Sequence, residues 1–216
     1  MTKPKLIIFD CDGVLVDSEP ITNSFLINDL ARYGLHLTPA DCDDLFVGGT
    51  MVGAARIARS MGADLPESWV DDYYRRIYAH LKLGVPLVDG VLEILNQIRA
   101  LAIPYCVVSN GSEEKMQITL GQNGLWDRFQ GAMFSAHTHG TAKPDPELLF
   151  IAARQFGVAP ADCVVIDDSP SGCTGAANAR MRCIGFAERT DPEKLAATGA
   201  TVVRSMAELP PLLGLS

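Results

Sequence analysis

Long apolar runs are missing from this chain: no stretch approaches the ~18 to 20 unbroken apolar residues that a membrane-spanning helix needs. Near the start, Lys3 and Lys5 are followed only by Leu6 to Phe9 before two aspartates arrive, too short and too acidic for a secretory signal. Cytoplasm is the expected location. Basic runs are missing as well, and the net charge of −8 argues against a nucleic acid or an anionic membrane as a partner. It does not exclude an anionic small substrate, because a bound cation can reverse the local field. The six cysteines (11, 42, 106, 163, 173 and 183) contain no C-x-x-C pair, and several lie in apolar runs such as Tyr105-Cys-Val-Val108 and Cys163-Val-Val-Ile166. They read as small core residues in a reducing compartment, not as a disulfide framework or a zinc site. No internal repeat or low-complexity segment is present.

What is present is enough for one large domain or for a core with a smaller insert: 216 residues, 48% hydrophobic and 20% charged. The run Lys5-Leu-Ile-Ile-Phe-Asp10-Cys-Asp12-Gly13 reads as a buried strand ending in two acids and a turn. The pattern then turns helical. Pro20 opens a segment with Ile21, Phe25, Leu26, Leu30 and Tyr33 at helical spacing, closed by Gly34. Thr38-Pro-Ala-Asp41 looks like a capping box, Thr50 to Met61 like a third helix closed by Gly62, and Pro66 to Lys82 sets Trp69, Tyr73, Ile77 and Leu81 on one face. Four helices with no strand between them do not belong to an alternating sheet, so residues 16–86 read as an inserted helical bundle.

From Leu87 the alternation returns, with strands expected at 103–109, 132–136, 163–167, 182–186 and 200–203, and helices at 89–101, 112–122, 146–156, 171–179 and 206–213. The implied fold is α/β: a doubly wound, mostly parallel sheet built from residues 1–15 and 87–216, with the four-helix insert as a second domain.

Four strand ends in this scheme finish in polar groups: Asp10 and Asp12, Ser109-Asn110, the loop carrying Lys143-Pro-Asp145-Pro, and Asp167-Asp168-Ser169. Parallel strands put their carboxyl ends on one edge, where such sheets bind ligands. Three or four carboxylates gathered there with one evident cation, Lys143, are unfavourable unless a divalent cation binds or some are protonated. Magnesium, a hard ion that prefers carboxylate and water oxygens and accompanies phosphate substrates, suits the set. Ser109 before a helix start near Ser112 can form an anion site, although Ser-Asn-Gly is also ordinary turn chemistry and Ser112 an ordinary N-cap.

In their order, Asp10-Cys-Asp12-Gly-Val-Leu-Val-Asp17-Ser-Glu, Ser109-Asn-Gly, Lys143-Pro-Asp-Pro and Asp167-Asp-Ser-Pro-Ser-Gly172 resemble the four signature motifs of the haloacid dehalogenase superfamily. The helical insert resembles that family's small cap, as in the group of β-phosphoglucomutase and the phosphoglycolate and sugar-phosphate phosphatases. The stretch Cys106 to Gln117 looks like bacterial 6-phosphogluconate phosphatases. The resemblance implies that Asp10 is a nucleophile forming an aspartyl-phosphate and Asp12 the acid and base. Magnesium would be held by Asp10, the Asp12 backbone carbonyl and Asp168, with Asp167 as a further or supporting ligand. Ser109, Asn110 and Lys143 would bind the phosphoryl group. The acid at position 12 favours phosphate esters over dehalogenation, and the absence of a cap arginine at Met51 and of a cap histidine at Thr22 favours hydrolysis over a phosphosugar mutase. Substrate choice is expected from cap positions, with Thr22, Gly48, Gly49, Thr50 and Met51 as candidates and Asn23 and Arg56 beside them.

The expected ligand is therefore a small phosphorylated metabolite, a sugar or sugar-acid phosphate, and the expected state a monomer. A response-regulator receiver also unites acids, a hydroxyl and a lysine on a parallel sheet. There the acidic pair comes first and the phosphoacceptor stands alone on a later strand, and a helical insert has no place. An idle binding protein on the same fold would not need every catalytic group. His137-Thr-His139 reads as a loop, Arg75-Arg76 as the solvated side of a cap helix or its cleft side, and Trp69, Tyr73 and Tyr74 as cap core.

Overall fold

Strand β1 (Leu6–Phe9) is apolar at every position, and all four residues are buried. A strand covered on both faces cannot alternate polar with apolar, so its sequence reads as an unbroken hydrophobic run. In the computed structural model, which describes residues 3–46 and 50–215, β1 lies near the middle of a six-stranded sheet. The others are β2 (Tyr105–Ser109), β3 (Met133–Ser135), β4 (Cys163–Asp167), β5 (Arg182–Phe186) and β6 (Thr201–Val203), in the order β3-β2-β1-β4-β5-β6. Every pairing is parallel. The register sets Phe9 beside Val107 of β2 and Ile166 of β4, so Asp10 emerges level with Asp167 at the end of β4 and with Val108, one residue before the end of β2. The strand order reverses between β1 and β4, and a reversal of this kind opens a crevice beyond the strand ends.

The chain divides into two compact units, one of residues 1–17 and 86–216 and one of Ser18–Val85. The second is helical: α1 (Glu19–Ala31), α2 (Pro39–Phe46), α3 (Met51–Ser60) and α4 (Trp69–Leu81). The Thr38 capping box forms as its sequence implies, with Thr38 N donating to Asp41 Oδ2 at 2.8 Å and Asp41 N to Thr38 Oγ1 at 3.2 Å. Residues Trp69, Tyr73, Ile77 and Leu81, one helical turn apart, are the buried stripe of α4.

One residue of α1 breaks the apolar pattern. Asp29 is buried beside Leu26 and Leu30. Trp69 Nε1 donates to its Oδ2 at 2.9 Å, and Arg76 Nη2 donates to both oxygens at 3.0 and 2.8 Å. Sequence alone puts Arg76 on the solvated or cleft side of α4 with Arg75. In the structure only Arg75 points outward, paired with Asp72, while Arg76 turns inward because a buried carboxylate needs a countercharge.

In the first unit the longer helices are α5 (Val91–Ala100), α6 (Glu113–Gly121), α9 (Glu147–Gln155) and α10 (Pro170–Asn178). Between them lie the single turns α7 (Trp126–Phe129) and α8 (Ala136–His139), and α11 (Pro192–Ala196) and α12 (Leu209–Leu213) follow. One core layer joins Leu6, Ile8, Cys106, Val108, Cys163 and Val165 of the sheet to Leu148, Leu149 and Ala152 of α9 and to Cys173 and Ala176 of α10. All six cysteines are buried as thiols rather than disulfides.

Three local departures from the sequence reading have simple causes. The His137–His139 segment is the helical turn α8, because Ser135 Oγ accepts from His137 N at 3.1 Å and Gly140 closes the turn at φ +69°, and both imidazoles are exposed. Trp126–Phe129 winds into α7, which buries Phe129. The last helix begins only at Leu209, after a 3₁₀ turn over Met206–Glu208, where two prolines without N–H donors can occupy the first turn. No helix among the described residues is long and apolar enough to cross a membrane.

Replacing Asp29 by Ala strands the Arg76 charge and the Trp69 N–H. It is expected to destabilise the helical unit by about 3 to 5 kcal/mol in urea unfolding, the cost of breaking a buried ion pair from one side. Asp29→Asn, which keeps an acceptor for Trp69, should cost less.

Candidate active site

Asp10 leaves β1 at the edge where the strand order reverses, its N–H donating to Ile166 O of β4 at 2.9 Å. The chain then turns sharply. The N–H groups of Leu15 and Val16 both donate to Cys11 O, at 2.9 and 3.0 Å, and Gly13 N donates to Val16 O at 2.8 Å. Gly13 sits at φ +74°, and a Cβ there would collide with the Asp168 carboxylate. Gly172 does the same service in α10, where a Cβ would collide with the Asp167 carboxylate. These two glycines let the β1 and β4 loops close until Asp10, Asp167 and Asp168 present oxygens within 4.8 Å of one another.

Lys143 reaches into this cluster from the loop after α8. Its Nζ donates to Asp10 Oδ1 and Asp167 Oδ2, both at 2.6 Å, and to Val108 O at 3.2 Å, and only 4% of its side chain is exposed. Burial opposes the ammonium charge, but the two carboxylates outweigh it and raise the Lys143 pKa. Burial also pushes the Asp10 carboxyl up to about 7, with Lys143 opposing and the charges of Asp167 and Asp12 adding. Even with the lysine in place, the cluster is short of positive charge. Asp167 is held rigid, since its Oδ1 accepts from Ser169 N at 3.0 Å and from Ser169 Oγ at 2.7 Å.

Ser109 ends β2, is buried, and accepts from Gly111 N at 2.9 Å. The Asn110 side chain braces the lysine loop. Its Oδ1 accepts from Lys143 N at 2.8 Å and its Nδ2 donates to Lys143 O at 3.0 Å, so the amide clamps the lysine loop to the end of β2. Asp12 pairs with Lys115 of α6, Nζ to Oδ1 2.8 Å. Here the sequence reading falls short, because Lys143 is not the lone cation of the site. Lys115 sits in the polar first turn of a helix, where lysine is usually solvated, and only its fixed distance behind Ser109 hinted otherwise.

The structure thus brings together Asp10, Asp12, Ser109, Asn110, Lys143, Asp167 and Asp168. Of the substrate-choice candidates, Thr22, Thr50 and Met51 belong to the helical unit. Thr22 Oγ1 donates to Glu19 O at 3.0 Å within α1, Thr50 caps α3 by accepting from Gly53 N at 3.1 Å, and Met51, half-buried, opens that helix. Gly48 and Gly49 lie outside the described residues.

Three clustered carboxylates around a partly neutralising lysine are hard oxygen donors with excess negative charge, so the residues fit a divalent cation of the magnesium type. A haloacid dehalogenase-like hydrolase model matches residues 4–180. The chain belongs to the haloacid dehalogenase-like hydrolases. Among curated relatives in this family, the 6-phosphogluconate phosphatase of Escherichia coli K12 is 29% identical over 214 residues, covering 98% of this chain and 96% of that protein. A haloacid dehalogenase-like protein from Agrobacterium tumefaciens superposes with a TM-score of 0.85 at 33% identity, covering 97% of each chain. A family hydrolase from Deinococcus radiodurans, solved with bound phosphate and sodium, gives a TM-score of 0.83 at 30% identity over 100% of this chain and 98% of that one.

Lys143→Met would leave Asp10 and Asp167 buried side by side with no cation between them. Hydrolase activity is expected to fall at least ~100-fold, and binding of magnesium, measured by calorimetry, should persist because the carboxylate donors remain.

Proposed function

We propose that this protein is a magnesium-dependent phosphomonoesterase acting on a small phosphorylated metabolite, a sugar phosphate or a sugar-acid phosphate such as 6-phosphogluconate. The observation that carries the reading is Lys143 bridging Asp10 and Asp167 at 2.6 Å, with Asp168 in the same cluster and Ser109 on the neighbouring strand. One buried site then holds a nucleophile, a neutralising ammonium and a set of cation donors. The E. coli relative's name supports the substrate class.

In this reading an Asp10 oxygen attacks phosphorus as the ester P–O bond breaks, giving an aspartyl-phosphate and the free alcohol, whose oxygen takes a proton from Asp12. Asp12 next takes a proton from the water that attacks the intermediate, and inorganic phosphate leaves with Asp10 regenerated. Lys143 and the Ser109 hydroxyl stabilise the phosphoryl oxygens. Asp10, Asp168 and the Asp12 carbonyl would hold the magnesium ion, with Asp167 supporting, and when bound it adds positive charge where the transferring group is most negative. Thr22, Gly48, Gly49, Thr50 and Met51 are the proposed determinants of the leaving group, in a helical unit acting as a cap. The protein is proposed to work in the cytoplasm as a monomer.

Phosphate release is the direct test, from a panel of sugar phosphates, 6-phosphogluconate, phosphoglycolate and p-nitrophenyl phosphate, with magnesium and with EDTA. Activity concentrated on one or two sugar or sugar-acid phosphates, abolished by EDTA and lowered at least ~100-fold by Asp10→Asn, is expected. Full activity in Asp10→Asn would sink the covalent mechanism. Silence on the panel with isomerisation of β-glucose 1-phosphate would identify a mutase.

A further inference from the structure

Lys143 serves Asp10 and Asp167, yet a second lysine at the same edge of the sheet has a carboxylate of its own. Lys115 lies in the first turn of α6, its backbone fixed by the N-cap, where Ser112 Oγ accepts from Lys115 N at 3.1 Å. Its side chain is 20% exposed, as shielded as the 22% of its partner Asp12, and the two meet at 2.8 Å. Four residues on, along the same helical face, Thr119 is fully buried; its hydroxyl donates to Lys115 O at 3.1 Å and lies 4.0 Å from Cys11 Sγ. The inner face of α6 therefore touches two successive residues of the loop that follows Asp10.

Gly111 shows where this pair sits. A Cβ at that position would lie 3.6 Å from Asp12 Oδ2, 3.6 Å from Lys115 Cδ and 3.2 Å from Ser109 Oγ. The ion pair thus lies over the bare backbone of Gly111, beside the hydroxyl read as binding the phosphoryl group.

We propose that Lys115 is a positioning residue: its ammonium holds the Asp12 carboxyl in the one orientation from which it can reach the leaving-group oxygen. This rests on the acid and base role proposed above for Asp12. An ammonium has donors but no acceptor, so it takes no proton in the reaction. The proton passes from Asp12 to the ester oxygen as the P–O bond breaks, and Asp12, left as a carboxylate still paired with Lys115, recovers a proton from the attacking water. The role of Lys115 is to remove rotational freedom from a group for which misplacement by about 1 Å is worth about 100-fold in rate.

The test compares kcat/KM, which reads only through departure of the alcohol, for the best alkyl phosphate of the panel and for p-nitrophenyl phosphate, whose leaving group needs no proton. In the magnesium-loaded enzyme, Lys115→Met should lower the alkyl value about 100-fold, in the range of general acid catalysis, and lower the aryl value at least tenfold less. Lys115→Arg, which can still donate to Asp12, should restore most of the alkyl activity. In the Asp12→Asn background Lys115→Met should cost little further. An equal fall for both esters in Lys115→Met, or a full additional loss on top of Asp12→Asn, would overturn the assignment of Lys115 alone. Asp12→Asn losing aryl and alkyl activity alike would overturn the role of Asp12 itself, and the positioning role with it.

Discussion

Negative charge is concentrated where the strand order reverses, and the rest of the structure follows from having to hold it there. Asp10, Asp167 and Asp168 crowd the ends of β1 and β4 within 4.8 Å, an arrangement that repels itself. It is tolerated because Lys143 is buried between two of the acids, Ser169 grips Asp167, and the donor set suits a divalent cation. The same crowding makes the site useful, because a dianionic phosphoryl group can enter only where positive charge has been placed in advance.

Steric permission is the second half of the arrangement. Any side chain at Gly13 or Gly172 would push apart the loops that carry the carboxylates. Asn110 contributes in another way, fastening both backbone groups of Lys143 to the end of β2 so that the ammonium is delivered from a fixed loop. The helical unit solves a smaller version of the problem, with Asp29 buried against Arg76 and the Trp69 N–H. In each unit one buried carboxylate, Asp167 in the first and Asp29 in the second, has both hydrogen bonds and a cation in place.

Much of this was legible before any coordinates. The apolar runs of β1, β2 and β4 are long enough to mark strands, and the polar residues that end them announce an edge rich in acids. The Thr38 capping box and the turn-by-turn stripe of Trp69, Tyr73, Ile77 and Leu81 mark helices as plainly. The inward turn of Arg76 and the pairing of Lys115 with Asp12 were not legible. A lysine or arginine on an amphipathic helix carries the same local signature whether it faces water or a buried acid, and the acid that decides the matter is distant in sequence: position 12 for Lys115, position 29 for Arg76.

The sequence by itself determined the alternation of strand and helix, the helical insertion after the first strand, and the types of residue at each strand end. These are local properties, set by hydrophobic period and turn chemistry. Only the tertiary structure decided which carboxylate received which cation: Lys143 to Asp10 and Asp167, Lys115 to Asp12, Arg76 to Asp29. Those pairings depend on strand register, on the two glycines that let loops meet, and on which helix face turns inward. Each is a relation between distant segments that no local pattern encodes.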